Sequence, residues 1–133
     1  MRFIPTRLHA PLDYIVGVAL IAAPWIFQYS DIAAATAISV VLGIGLIAYS
    51  LFTDYELGVW RTFPMSVHNL FDIAAGALLA VSPWLFGFAD EGANAWAPFV
   101  VVGLAAVFLG LTTKQRGAGT RSRASTFGAG HGV

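Results

Sequence analysis

Eight residues of this chain recur at a fixed interval. His9, Asp13, Gly17, Leu20, Pro24, Trp25, Phe27 and Asp31 reappear 59 positions later as His68, Asp72, Gly76, Leu79, Pro83, Trp84, Phe86 and Asp90. Pro5 stands ahead of the first set as Pro64 stands ahead of the second. A duplication on this scale constrains the fold more than any single motif, because whatever shape one copy takes the other must take too. In each copy the repeated residues lie on one apolar run, and a second apolar run follows a short acidic turn. The chain is therefore read as two units of two apolar segments each.

The runs decide the class. Asp, Glu, Lys and Arg supply 11% of the 133 residues and the mean hydropathy is +0.76, against roughly 25% charged residues in soluble domains. Between Asp13 and Asp31 lie 17 residues without a charge, near the lower limit of the ~17–25 that cross ~30 Å of hydrocarbon. The expected fold is an all-α membrane protein with four transmembrane helices and the lipid bilayer as its surroundings. With no cysteine in the chain, disulfides, thiolate metal sites and cysteine nucleophiles are excluded. Nothing in the sequence calls for a cofactor or a nucleic-acid partner.

Segment one is expected from about Leu8 to Phe27 and segment two from about Ile32 to Phe52, forming a first hairpin within residues 1–53. Residues 54–65, with Asp54, Glu56, Arg61 and Pro64, read as an interfacial linker. A second hairpin occupies residues 66–113, with segment three from about Ser66 to Phe88 and segment four from about Ala95 to Thr113. From Lys114 to Val133 the composition of Gly, Ser, Thr and Arg predicts a disordered basic tail, whose charges set orientation or meet anionic lipid. Arg2 and Arg7 ahead of an apolar run have the look of a signal peptide. The mid-chain copy of the same design argues that the first segment is retained.

Pro24 and Pro83 fall in the last turns of segments one and three, where each removes a backbone hydrogen bond and is expected to kink its helix. Trp25, Trp84 and Trp96 are expected at the headgroup level. Gly17 and Gly76, with Gly43 and Gly103 in segments two and four, let helix backbones approach closely. The alignment that brings Gly43 to Gly103 also brings Thr53 to Thr113. All seven Lys and Arg lie at 2, 7, 61, 114, 116, 121 and 123, on segments that four spans place on one side. The positive-inside rule then puts both termini and the linker in the cytoplasm.

At about 100° per residue, His9, Asp13, Gly17, Leu20, Pro24 and Phe27 fall within a stripe about 80° wide, with Trp25 outside it. A stripe shared by both copies predicts that segments one and three pack near a pseudo-two-fold axis along the membrane normal. Two-span units return the chain to the same side, so the repeats are parallel. Ser82-Pro83-Trp84, with Ala23-Pro24-Trp25 as its counterpart, resembles the SPW repeat family of small prokaryotic integral membrane proteins, whose unit is a pair of transmembrane helices. The resemblance covers residues 4 to 113 and departs from the motif at Ala23. It implies a topology and a bacterial inner membrane, and no particular activity.

His9 and Asp13, like His68 and Asp72, are four residues apart and share a helix face one turn from each other. If the two stripes meet, two imidazoles and two carboxylates converge, a set suited to a divalent metal or a proton relay. The preferred reading is structural: each carboxylate near its helix N-terminus offsets the macrodipole, and each histidine partners its own aspartate at the interface. Tyr49 and Ser50 read as core hydrogen-bonding groups. The expected function is therefore a structural or partner-binding inner-membrane protein and not an enzyme, its partner a second copy or another membrane protein. The alternative is a small carrier or metal-binding protein using the His/Asp pairs.

Overall fold

A computed structural model describes residues 2–115. The expected disordered tail lies outside the described residues except for Lys114 and Gln115. The described residues form four helices: α1 (Thr6–Ile26), α2 (Ala33–Phe52), α3 (Met65–Leu85) and α4 (Ala93–Thr112). Each has 20 or 21 residues, about 30 Å at 1.5 Å per residue, and all four are long and apolar enough to cross a membrane. Mean hydropathy is 1.3 for α1 and α3 and 2.1 for α2 and α4. The two less apolar helices are the more buried pair. Hydrocarbon offers polar groups no hydrogen-bond partner, so the side chains that need one face protein.

The helices start and stop where local chemistry requires it, a few residues from the expected bounds. Pro5 and Pro64 hold extended backbone just before α1 and α3. Their carbonyls accept the N–H groups of Leu8 and His9, and of Val67 and His68, so the helices begin at Thr6 and Met65. α3 ends at Leu85 instead of running to Phe88, because Gly87 takes φ +76° and the N–H groups of Phe88 and Ala89 fold back onto the Pro83 carbonyl at 2.8 and 2.9 Å. Gln28 at φ 57° closes α1 in the same way, with the Tyr29 N–H reaching the Pro24 carbonyl at 2.9 Å. Pro24 and Pro83 thus lie two residues from the ends of their helices. Gly92, at φ 114°, opens α4 two residues ahead of Ala95.

Within each hairpin the helices pack through glycine. A methyl group on Gly43 would stand 2.7 Å from the Gly17 carbonyl oxygen, and one on Gly76 would stand 2.7 Å from the Gly103 carbonyl oxygen. Backbone cannot yield there as a flexible side chain would, so only a residue without Cβ permits the approach. Helices of one hairpin contact each other far more than they contact the other hairpin.

The hairpins meet at both ends of the bundle. At the end holding the intra-hairpin turns, Leu20, Tyr29, Leu79, Phe88 and Phe99 form one buried cluster, with the Phe88 and Phe99 rings edge-on at 4.9 Å. At the opposite end residues 3–4 lie along 112–114, and residues 62–63 lie along 52–54. Lys114 N–H donates to the Ile4 carbonyl at 2.8 Å, and Asp54 N–H to the Phe63 carbonyl at 2.7 Å; two isolated β-bridges, Ile4 with Thr113 and Thr53 with Phe63, mark these contacts. The sequence duplication thus extends to backbone hydrogen bonds outside the helices. Between the two ends a cavity of about 390 Å³, lined by all four helices, separates the hairpins.

Candidate functional site

The two His/Asp pairs of the repeat come together where α1 and α3 begin. His9 and Asp13 are one turn apart on α1, His68 and Asp72 one turn apart on α3, and all four are buried. His9 Nε2 lies 3.0 Å from Asp13 Oδ1 and 3.0 Å from Asp72 Oδ2. His68 Nε2 lies 3.0 Å from Asp13 Oδ2 and 3.5 Å from Asp72 Oδ1. Each carboxylate therefore turns one oxygen to each imidazole, and the contacts between hairpins are as short as those within them. The imidazole rings stand edge-on, 5.4 Å apart.

This arrangement corrects the macrodipole account of the aspartates. Asp13 and Asp72 are each the eighth residue of their helix, beyond the first turn where a carboxylate offsets the dipole. Neither helix has an acidic residue in its first turn. What the carboxylates face instead is imidazole, and both histidines are fully enclosed by protein.

Four hydroxyl groups hold the tetrad from outside. His9 Nδ1 is 2.6 Å from Thr113 Oγ1 and His68 Nδ1 is 2.6 Å from Thr53 Oγ1, so each ring is oriented by a threonine of the other hairpin. The Thr53 hydroxyl donates its proton to the Tyr49 carbonyl at 2.6 Å; it must then accept from His68, whose Nδ1 carries hydrogen. The Tyr49 hydroxyl donates to Asp72 Oδ1 at 2.8 Å and the Tyr55 hydroxyl to Asp13 Oδ2 at 2.9 Å. Tyr55 lies in the loop between α2 and α3. Burial, and after it the charge of Asp13, push its phenol above the usual value, so it stays a neutral donor. Of these four, only Tyr49 was legible as a hydrogen-bonding group from sequence; the match of Thr53 with Thr113 in the repeat was the available signal for the threonines.

The Pro-Trp motif occupies the other end. Pro24 and Pro83 are buried while Trp25 and Trp84 are each 62% exposed. Ser82 donates to the Leu78 carbonyl of its own helix at 2.6 Å. That bond joins nothing to another helix, so Ala23 in the first copy forfeits no inter-helix hydrogen bond. Pro24 lacks the N–H that would bond the Leu20 carbonyl, and the Ser39 hydroxyl donates to that carbonyl, itself accepting from the Tyr29 hydroxyl at 3.1 Å. Phe88 and Phe99 stand at the corresponding positions of the second copy. The cavity between the hairpins runs from this end, at Leu20 and Leu79, to the tetrad, where His9, Asp13 and Asp72 form its polar wall.

Four apolar spans with their histidine and aspartate side chains turned inward define a multi-pass helical membrane protein. Residues 7–113 match the SPW repeat domain, and the chain belongs to the SPW repeat family. No curated protein and no solved structure matches it.

Proposed function

We propose that this chain is a structural, partner-holding protein of the bacterial inner membrane and not an enzyme, and that the tetrad is the clamp joining its two hairpins. One observation carries this reading: His9 of the first hairpin lies 3.0 Å from Asp72 of the second, and His68 lies 3.0 Å from Asp13. Removing either carboxylate takes from the imidazole of the opposite hairpin one of its two carboxylate partners. The hydroxyls of Thr53, Thr113, Tyr49 and Tyr55 are occupied in orienting the tetrad. A double-mutant cycle on His9→Ala and Asp72→Ala, read by unfolding in detergent, should give a coupling of about 1–3 kcal/mol. Independent, additive effects would refute the clamp.

Both termini and the linker are placed in the cytoplasm, a reading supported by Arg2, Arg61 and Lys114 gathering at the tetrad end. There Arg2 donates to the Gly110 and Thr113 carbonyls at 3.2 and 2.9 Å. The hydrogen bonds that recur in pairs 59 or 60 residues apart support a pseudo-two-fold axis along the membrane normal. The partner is a second copy or another membrane protein meeting the lipid-facing surface, and crosslinking in native membranes followed by mass spectrometry identifies it.

The cavity favours a second reading, a carrier of a lipid-soluble molecule, since about 390 Å³ of mostly apolar space ends on the polar tetrad and lies within the range of small-molecule sites. Gly45 lines this cavity, and a methyl group there would meet nothing within 4 Å. Gly45→Leu should therefore fill the space while the protein stays folded. Loss of a stoichiometric co-purifying lipid-soluble molecule in this variant supports a carrier; equal lipid content in both proteins refutes it.

A further inference from the structure

We propose that the tetrad is a binding site for one divalent first-row transition metal of the zinc class, with His9 Nε2, His68 Nε2 and one oxygen each of Asp13 and Asp72 as ligands. The donor atoms, one per residue, all lie within 4.8 Å of one another. The four nitrogen–oxygen separations are 3.0, 3.0, 3.0 and 3.5 Å. A tetrahedral ion with ligands at ~2.0–2.1 Å has ligand–ligand edges of about 3.3 Å. Each of those contacts uses a different carboxylate oxygen, so one oxygen per aspartate supplies two of them, and the four donors, within 4.8 Å of one another, draw in to that edge when an ion binds.

The protons point the same way. With hydrogen on its Nδ1, a neutral His68 presents a lone pair at Nε2, 3.0 Å from a carboxylate oxygen. Two electron-rich atoms at that distance need a cation between them. His9 Nε2, His68 Nε2 and Asp72 Oδ2 are all buried, and none of them has a hydrogen-bond partner of adequate geometry. A second proton on each imidazole would supply the charge, but each proton would then be divided between two carboxylates. One dication serves all four groups at once and balances two carboxylates to neutrality, which a low-dielectric interior requires.

The surroundings match those that hold metal ligands in place. Metal-binding histidines donate their other ring N–H to a fixed acceptor, and ligating carboxylates are themselves hydrogen-bonded. Here Thr53 and Thr113 meet the two Nδ1 atoms, and Tyr49 and Tyr55 hold one oxygen of each carboxylate. The oxygens left over, Asp13 Oδ1 and Asp72 Oδ2, are each 3.0 Å from His9 Nε2. Two imidazoles and two carboxylates, without thiolate or thioether, select zinc, cobalt, iron or manganese over copper(I).

The proposal goes beyond the clamp, which needs only that the hairpins be coupled in metal-free protein. Full-length protein in detergent is stripped with chelator, dialysed against Zn²⁺ or Co²⁺ and measured by elemental analysis and visible absorption. The expected result is one ion per chain, with the intense d–d bands of tetrahedral cobalt, and more than a tenfold loss of affinity in His9→Gln/His68→Gln. Folded wild type that takes up no stoichiometric ion overturns the site, as does undiminished binding by the folded double variant. If that variant fails to fold, the wild-type cobalt spectrum decides. Tetrahedral bands support the site, and weak octahedral bands, as from hydrated or surface-bound ion, overturn it. The double-mutant cycle run on the stripped protein tests the clamp separately.

Discussion

Tyr49 and Tyr55 make equivalent bonds from different places. One reaches Asp72 from α2, the other reaches Asp13 from the loop before α3, and both belong to the first copy, since Leu109 and Gln115 stand 60 positions on. The second copy contributes carboxylate and imidazole but no phenol. Tyr49→Phe or Tyr55→Phe leaves a buried carboxylate oxygen one donor short, and each should lower stability by about 1–3 kcal/mol in detergent unfolding. Alkaline titration separates Tyr55 further. Its phenol is raised above the ordinary value of about 10 by burial and then by Asp13, so the folded state keeps a proton that the unfolded chain releases. The stability it contributes is complete below pH ~10 and falls as pH rises above it, by up to about 1.4 kcal/mol per pH unit. Tyr29, raised by its burial, adds a slope of the same sign. The Tyr55→Phe variant should show a shallower alkaline decline than wild type, and an unchanged slope would count against this account.

At the scale of elements, the two hairpins depend on where glycine sits on α2. Gly43 and Gly45 are two residues apart and differ in what a methyl group would meet. On Gly43 it would press on the Gly17 carbonyl at 2.7 Å; on Gly45 it would find open space. Gly43→Ala should therefore destabilise by about 1–3 kcal/mol through forced separation of α1 and α2. Gly45→Ala should leave stability unchanged or raise it by up to about 1 kcal/mol, because alanine is the better helix former. Thermal unfolding of the two variants side by side checks both, and equal effects would refute close packing at Gly43. Gly76 and Gly103 repeat the arrangement in the second hairpin, where a methyl group on Gly103 would stand 2.5 Å from the Gly76 carbonyl.

For the molecule as a whole, the tetrad end and the turn end should lie on opposite sides of the membrane. Reporter fusions at the C-terminus and within residues 54–62 should report cytoplasm, and fusions near Asp31 or Asp90 should report the exterior. A cytoplasmic signal near Asp90 would sink the orientation. Buried contacts join the hairpins chiefly at the two ends, so weakening the tetrad should loosen one hairpin from the other while each stays closed at its glycine pair. Hydrogen exchange in Asp72→Asn should accordingly rise at the starts of α1 and α3 before it rises at Gly43 or Gly103.

Much of this was written locally. The duplication, the four apolar runs and the i, i+4 spacing of each His/Asp pair depend only on neighbours along the chain and on the period of the helix, so class, spans and shared faces could be read without coordinates. Helix ends moved by a few residues, because proline carbonyls and positive-φ turns set them rather than hydropathy. Partnership across the bundle was a different matter. Thr113 orients His9 from 104 positions away, and Tyr55 reaches Asp13 from a loop read only as a linker. Those contacts exist because glycine contacts close each hairpin and because residues 3–4 and 62–63 lie against the ends of α4 and α2. Folding of the hairpins against each other is what turns two separate His/Asp pairs into one four-membered ring.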